Sequence, residues 1–92
     1  MAVTVHIPTP LRKLTNNQAE VEIADVASIE ELIDGLENVH PGMKRKLVED
    51  GKIRGYVNIF VNDEDIKFIK GKETNLKDGD SVTIVPSIAG GV

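Results

Sequence analysis

Hydrophobic and polar residues alternate along several stretches of this chain, as they do in a strand that buries one of its faces. The clearest stretch is residues 56–61, where every second residue is Val or Ile, and we expect it at the centre of a sheet. Pro8 and Pro86 each end an alternating stretch, because proline donates no backbone hydrogen bond to a neighbouring strand. The pattern predicts strands at residues 2–7, 18–24, 56–61 and 81–85, with a short edge strand at 66–69.

A helical pattern separates the second predicted strand from the third. Ser28 is followed by Glu31, the spacing at which a hydroxyl and a carboxylate cap the first turn of a helix. Residues 40–42 (His-Pro-Gly) stop the helix, and residues 43–48 predict a second, short one. The predicted buried stripe is Ile29, Leu32, Ile33 and Leu36, and the predicted exposed residues are Glu30, Glu31, Asp34 and Glu37.

This order of elements predicts an α+β domain with a mixed sheet of about five strands and one main helix packed on one face. The helical connection is too long for a hairpin, so we expect it to cross the sheet and bring the two terminal strands together in the middle. That arrangement is a β-grasp, or ubiquitin-like, roll. We assign residues 1–86 to this domain. Residues 87–92 are small apart from Ile88 and Val92 and show no periodicity, so we expect a flexible tail.

Composition narrows the possible functions. The 92 residues include no Cys and only 3% aromatic residues, which excludes disulfides and thiolate chemistry and predicts an aliphatic core with no room for a large cofactor. The net charge of −4 argues against nucleic acid as a partner. The sequence shows no signal peptide and no run of eighteen apolar residues, so we expect no membrane association and a cytoplasmic location.

Side chains suited to catalysis are isolated along the sequence. His6 and His40 stand apart from any nucleophile, and we interpret both as structural. Residues 62–65 lack the glycine and the closing glutamate of a calcium loop and are interpreted as a polar turn, so no metal site is expected. A basic cluster is either a docking patch or a solvated face; its members are Lys44, Arg45, Lys46, Lys52 and Arg54.

The unusual chemical feature is Gly90-Gly91 close to the end of the chain. Two residues without a Cβ atom can pass in extended form through a narrow channel, which would deliver a carboxylate into the active site of another enzyme. The alternative is a frayed terminus that happens to contain glycine.

Three segments carry a resemblance to a known family. They are residues 57–66 (VNIFVNDEDI), 78–86 (DGDSVTIVP) and 89–91 (AGG). Together with the predicted fold they resemble the ThiS/MoaD family of ubiquitin-like sulfur carriers over essentially the whole chain. The branch they look most like is the CysO-like one, which serves cysteine biosynthesis.

The resemblance implies a protein co-substrate that is not itself an enzyme and binds no cofactor. An E1-like adenylating enzyme would activate the Gly91 carboxylate with ATP, and a sulfur donor would convert it to a thiocarboxylate. A cysteine synthase would add that sulfur to an aminoacrylate held on pyridoxal phosphate. A JAMM-type metalloprotease would then release cysteine. The tail residues involved would be Ala89, Gly90, Gly91 and Val92.

One residue departs from the family pattern. Mature carriers end at the second glycine, whereas Val92 follows Gly91 here. A peptide-bonded Gly91 has no free carboxylate, so we expect Val92 to be removed before activation.

Three alternatives stay open. The chain is a MoaD-like small subunit of molybdopterin synthase or a ThiS-like carrier, or a ubiquitin-like protein modifier, or a plain interaction module with an inert tail. For any partner we expect docking on the outer face of the sheet at Tyr56, Asn58 and Phe60, with Ile88 contributing from the tail. The other interpretation of Phe60 is a small second core under a loop.

Overall fold

The computed structural model of this chain describes residues 2–86, and its main sheet has five strands. The first and last strands lie side by side and run parallel, as the predicted crossover requires, and the other neighbouring pairs are antiparallel. The predicted mixed sheet with its terminal strands in the middle is therefore confirmed. In sheet order the strands are β2 (Glu20–Ala24), β1 (Ala2–His6), β7 (Ser81–Pro86), β5 (Val57–Val61) and β6 (Glu64–Asp65).

The main helix, α1 (Ile29–Val39), begins where the sequence predicts. The Ser28 hydroxyl accepts a hydrogen bond from the Glu31 backbone N–H at 3.2 Å, and the Glu31 carboxylate accepts one from the Ala27 N–H at 2.9 Å. The four residues of the predicted stripe are all buried. The helix lies so close to β2 that a Cβ atom on Gly35 would stand 2.8 Å from a methyl group of Ile23.

The core between α1 and the sheet is aliphatic. The chain has one Tyr and two Phe, and none of them belongs to the buried core cluster. Alternation along the strands correctly predicts which side chains enter the core, because successive residues of a strand point to opposite faces. The predicted inward residues, all buried, are Val3, Val5, Val21, Ile23, Val57, Ile59, Val61, Val82 and Ile84.

Two predictions about the β5 side of the sheet are wrong. The edge strand is Glu64–Asp65 rather than residues 66–69, and Ile66–Phe68 is a 3-10 helix whose N–H at Lys67 is capped by the Asp65 carboxylate at 2.8 Å. The predicted central strand, β5, is an inner strand next to the edge, and β7 occupies the centre. Strand order depends on long-range pairing, which periodicity does not encode.

The remaining elements lie around this frame. A short helix, α2 (Met43–Leu47), matches the predicted one, and it runs into a hairpin of β3 (Val48–Glu49) and β4 (Lys52–Ile53) around an Asp50-Gly51 turn. Further 3-10 helices are Thr9–Thr15 and Gly71–Glu73. Within residues 2–86, no helix has the length and hydropathy needed to cross a membrane.

Candidate functional site

The chain leaves the sheet from its central strand. β7 pairs with β1 on one side and with the whole of β5 on the other. Pro86, the last described residue, lies opposite Val57. Pairing with β1 ends at Thr83, so the segment that follows Pro86 starts from a residue held by β5. The predicted site residues Ile88, Ala89, Gly90, Gly91 and Val92 lie outside the described residues.

Two of the segments that carry the resemblance, residues 57–66 and 78–86, meet at the start of β7. The Asn62 backbone N–H donates to the Ser81 carbonyl at 2.8 Å, and the Ser81 N–H donates to the Asn62 side-chain oxygen at 3.0 Å. The Asn62 amide also donates to the Asp80 carboxylate at 3.0 Å. These bonds fix the residue at which β7 begins.

The Asp78-Gly79-Asp80 turn joins the first strand to the last. The Asp78 carboxylate accepts from the Ala2 N–H at 2.8 Å, and the Gly79 N–H donates to the Ala2 carbonyl at 2.8 Å. The Thr4 N–H donates to the Asp80 carbonyl at 3.0 Å. Gly79 has a φ of +87°, which favours glycine. This motif thus anchors the central strand pair.

The outer face of the sheet carries two of the three predicted docking residues. Phe60 lies half-buried between Thr83 on β7 and Asp65 on β6. Asn58 lies on the same face and accepts a hydrogen bond from the Lys67 ammonium at 2.9 Å. Tyr56 is 47% exposed but lies in the turn before β5, so its predicted place in the strand is wrong.

The two histidines differ in their surroundings. On the outer face, His6 Nε2 lies 2.9 Å from the Ser81 hydroxyl, and Nδ1 lies 3.5 Å from a Glu20 carboxylate oxygen. His40 is buried, and its backbone N–H donates to the Leu36 carbonyl at the end of α1. Neither lies in a group of three possible metal ligands, and residues 2–86 contain no such group.

The helical position of Glu37 predicts that it faces solvent, but its side chain also binds the backbone of the following turn. Its carboxylate accepts hydrogen bonds from the Lys44 N–H at 2.9 Å and the Gly42 N–H at 3.1 Å. These bonds, the one from Lys44 first, hold the pKa of Glu37 below its usual value. The carboxylate therefore ties the end of α1 to the start of α2.

The basic cluster is brought together by α2 and the β3–β4 hairpin. The Arg54 guanidinium donates to the Arg45 carbonyl at 2.9 Å and pairs with Glu49 at 3.0 Å. Lys44 pairs with Asp34 at 2.7 Å, and this hydrogen bond raises the pKa of Lys44. Exposed carboxylates therefore neutralise part of the cluster, at Lys44 and Arg54, whereas Lys52 forms no ion pair within residues 2–86.

Phe68 is a candidate contact residue that periodicity missed. It is 82% exposed, the most exposed of the large hydrophobic residues in the described chain. Alternation over residues 66–69 predicted a strand that would bury every second side chain. Asp65, a good helix cap, was the local signal that a helical turn begins there instead.

Known proteins similar to this chain share both its length and its fold. The sulfur carrier protein CysO of Mycobacterium tuberculosis is 45% identical over 94 residues, covering 99% of this chain and 100% of that protein. The crystal structure of the Amycolatopsis orientalis BexX/CysO complex matches with a TM-score of 0.91 at 45% identity, covering 95% of this chain and 97% of that one. Small archaeal modifier protein 3 of Haloferax volcanii is 33% identical over 69 residues, 75% of each chain.

The similarity extends through the glycines that the sequence analysis singled out. A family model described as the ThiS family matches residues 5–91, so the matched region ends at Gly91 and leaves Val92 outside it. The ubiquitin-like β-grasp fold is confirmed together with the family. With nearly its whole length matched, this chain belongs to the ThiS family.

Proposed function

We propose that this chain is a sulfur carrier for cysteine biosynthesis and that Gly91 carries the sulfur as a terminal thiocarboxylate. The observation that carries the proposal is the 45% identity to the sulfur carrier CysO along the full length. The family match supports it further, because it ends on the second glycine. Since the chain has no cysteine, a carboxylate has to hold the sulfur in place of a thiol.

Activation of Gly91 solves a chemical difficulty. A carboxylate is a poor electrophile and its oxygen a poor leaving group. In the proposed first step an E1-like enzyme transfers AMP from ATP to the Gly91 carboxylate and releases pyrophosphate. Sulfide then attacks the carbonyl carbon of this mixed anhydride, the bond to the AMP oxygen breaks, and AMP leaves. The product is the thiocarboxylate.

Partner enzymes perform every later step of the proposal. A cysteine synthase holds an aminoacrylate on pyridoxal phosphate, and the thiocarboxylate sulfur adds to its β-carbon. A JAMM-type metalloprotease then hydrolyses the bond that joins the new cysteine to the carrier. ATP and pyridoxal phosphate thus belong to the partners. We assign this series of reactions to the cytoplasm, because its first step consumes ATP.

The fold supports this role by where it anchors the tail. β7 pairs with β1 as far as Thr83 and with β5 as far as Pro86, so a partner that grips the domain also places the start of the tail. We propose that partners grip the outer face at Phe60 and Asn58, with Tyr56 at its margin and Ile88 nearer the reactive end. Phe60→Ala is expected to weaken binding to the activating enzyme by about 2 kcal/mol. Unchanged affinity with an unchanged fold would refute this face.

Val92 is proposed to be a removable cap. Activation requires a free carboxylate on Gly91, and the branched side chain of Val92 crowds the path of an attacking nucleophile. The JAMM-type metalloprotease proposed above to release cysteine is a suitable enzyme for removing Val92, because both cleavages take place directly after Gly91.

The decisive experiment compares three forms of the chain with the activating enzyme, ATP and sulfide. They are the full chain, a form ending at Gly91, and that shorter form with Gly91→Ala. We expect mass spectrometry to find the thiocarboxylate, which is about 16 Da heavier, on the form ending at Gly91 and strongly reduced on its alanine variant. Thiocarboxylate on the full chain with Val92 still attached would overturn the cap. Failure of the shorter form to react would overturn the carrier proposal.

A second candidate function is protein modification through an isopeptide bond from Gly91 to a lysine. The similarity to small archaeal modifier protein 3 favours it. An affinity-tagged chain isolated under denaturing conditions distinguishes the two functions, since only the modifier would be covalently joined to other proteins. A third carrier role, as a MoaD-like or ThiS-like protein, differs only in the enzyme that accepts the sulfur, and purified acceptor enzymes would separate these branches.

A further inference from the structure

A cavity of about 280 Å³ opens beside β5, on the face of the sheet opposite Phe60. Its floor is formed by Ile53, Val57, Ile59 and Ile66, so it is apolar. Pockets for small molecules typically enclose about 300–1,000 Å³. This cavity therefore suits one or two side chains of a partner better than a cofactor.

The rim of the cavity is cationic. Lys52, Arg54, Lys67 and Lys72 line it, against the single carboxylate of Asp65, although the chain as a whole has a net charge of −4. Three of these cations already have acidic neighbours. Arg54 pairs with Glu49, and the Lys67 and Lys72 ammonium groups lie 3.8 Å and 3.7 Å from carboxylate oxygens of Asp65 and Glu30. Lys52 forms no ion pair with any residue in 2–86. An acidic partner gains most from such a rim, since complementary charge selects the partner and speeds its encounter.

The edge of the sheet next to the cavity is sparsely covered. β6 pairs only with Phe60 and Val61, so the first part of β5 has no strand partner on that side within the described chain. Directly after the cavity residues Ile66 and Lys67 come Phe68 and Ile69, which are 82% and 39% exposed. Exposed apolar side chains beside an apolar cavity give an incoming segment further contacts.

We propose that this cavity docks an extended acidic segment of a partner protein. One apolar side chain of that segment enters the cavity, and its carboxylates pair with Lys52 and Lys72 at the rim. Charge complementarity determines the occupant: a basic or purely apolar segment would leave Lys52 without an acidic partner and would add no carboxylate to a lining that has four cations and one carboxylate. The surface lies on the opposite face of the sheet from Phe60, and the inference holds whether or not Gly91 carries sulfur.

Two variants and a matched control test this assignment. Gly55 lines the cavity, its φ lies outside the left-handed region, and an added Cβ meets nothing within 4 Å, so Gly55→Leu narrows the mouth without backbone strain. Lys52→Glu reverses the rim charge. Lys13→Glu makes the same charge change at an exposed residue of the 3-10 helix Thr9–Thr15, away from the cavity lining.

The probe is a blocked hexapeptide of alternating Leu and Glu, added to the full ¹⁵N-labelled chain. We expect it to shift the amide resonances of residues 52–57 and 66–72, and each cavity variant to weaken binding by roughly tenfold, which corresponds to about 1.4 kcal/mol, while Lys13→Glu has no effect. A peptide with Lys in place of Glu is expected not to bind.

Three results would overturn the proposal. They are no shifts at the cavity at millimolar peptide, equal binding of the Lys peptide, and shifts confined to the outer face around Phe60. Sedimentation of the chain without peptide measures its oligomeric state and shows whether a second copy of the chain is a candidate occupant. A dimer that Gly55→Leu dissociates would also overturn the acidic segment as occupant.

Discussion

The centre of the sheet and its β6 edge are built differently. At the centre, β7 has a parallel neighbour on one side and a five-residue antiparallel partner on the other, and both ends of the Asp78–Ser81 segment are tied by side-chain hydrogen bonds. At the edge, β6 contributes two residues, and the chain then turns away into a 3-10 helix. The most exposed aromatic residue and the apolar cavity both lie there.

We interpret the centre of the sheet as the region that positions the tail and the edge as the region that a partner recognises. A tail that the fold is to position needs a fixed starting point, and a strand paired with its neighbours resists local opening. A docking surface instead needs apolar groups that remain uncovered, which a thin edge provides. The same sheet thus supplies a rigid anchor at its centre and accessible contacts at its margin.

The largest expected effect is a difference in the free energy of unfolding between two alanine variants, one at the centre of the sheet and one at its β6 edge. Ile84 on β7 is 3% exposed and Phe68 is 82% exposed. Ile84→Ala should lower the free energy of unfolding by about 2–5 kcal/mol, because it leaves a cavity in a packed core. Phe68→Ala should change it by less than about 0.5 kcal/mol. Urea unfolding of both variants measures these values, and similar losses for the two would contradict the contrast.

A smaller effect is expected where the two regions are joined. Asn62 and Asp63 form the turn from β5 to β6 with φ of 49° and 72°, and Asn62 alone reaches β7. Asn62→Gly retains the left-handed backbone but loses two side-chain hydrogen bonds, so it should cost about 1–3 kcal/mol.

Asp63→Gly is the matched control for the turn. It also keeps the left-handed backbone but removes no bond to β7, so its stability should stay close to that of the native chain. If the two glycine variants unfold at the same urea concentration, the side chain of Asn62 does not anchor β7.

The smallest expected effect is a pH dependence of stability at Glu37, the residue that ties α1 to α2. The pKa of Glu37 is lowered in the folded chain, so its contribution to stability is present above the ordinary glutamate pKa, about 4.3, and is lost as pH falls through the lowered value. The stability difference between the native chain and Glu37→Gln should therefore shrink at acid pH. Urea unfolding from pH 7 to pH 2 tests this, with Glu22→Gln as an exposed control. A difference that stays constant with pH would show that Glu37 does not titrate in this way.

Local signals predicted the elements well where one interaction dominates. The capping residues Ser28 and Glu31 predicted the start of α1 to the residue, because a cap acts within one helical turn. Every residue that strand alternation predicted to point inward is buried.

Sequence reasoning failed where distant residues decide the outcome. Ile66 is buried, as an apolar residue in a strand would be, but it lies in a 3-10 turn, because the chain pairs with β5 for only two residues after the Asn62-Asp63 turn and then leaves the strand. Glu37 was expected in solvent, and its two backbone partners depend on the path of the chain through residues 40–44. The contact between Asn62 and Asp80 joins residues eighteen positions apart, which no periodicity reports.

The sequence by itself determined the aliphatic core, the main helix, the strand faces and the Gly-Gly segment that identified the family, because each depends on neighbours along the chain or on composition. Only the tertiary structure decided that β5 lies beside the edge strand, that Asn62 and Asp78–Asp80 anchor β7, and that an apolar cavity with a cationic rim opens beside β5. Those features arise when strands far apart in sequence pair and exclude water together, and their geometry follows from packing across the sheet.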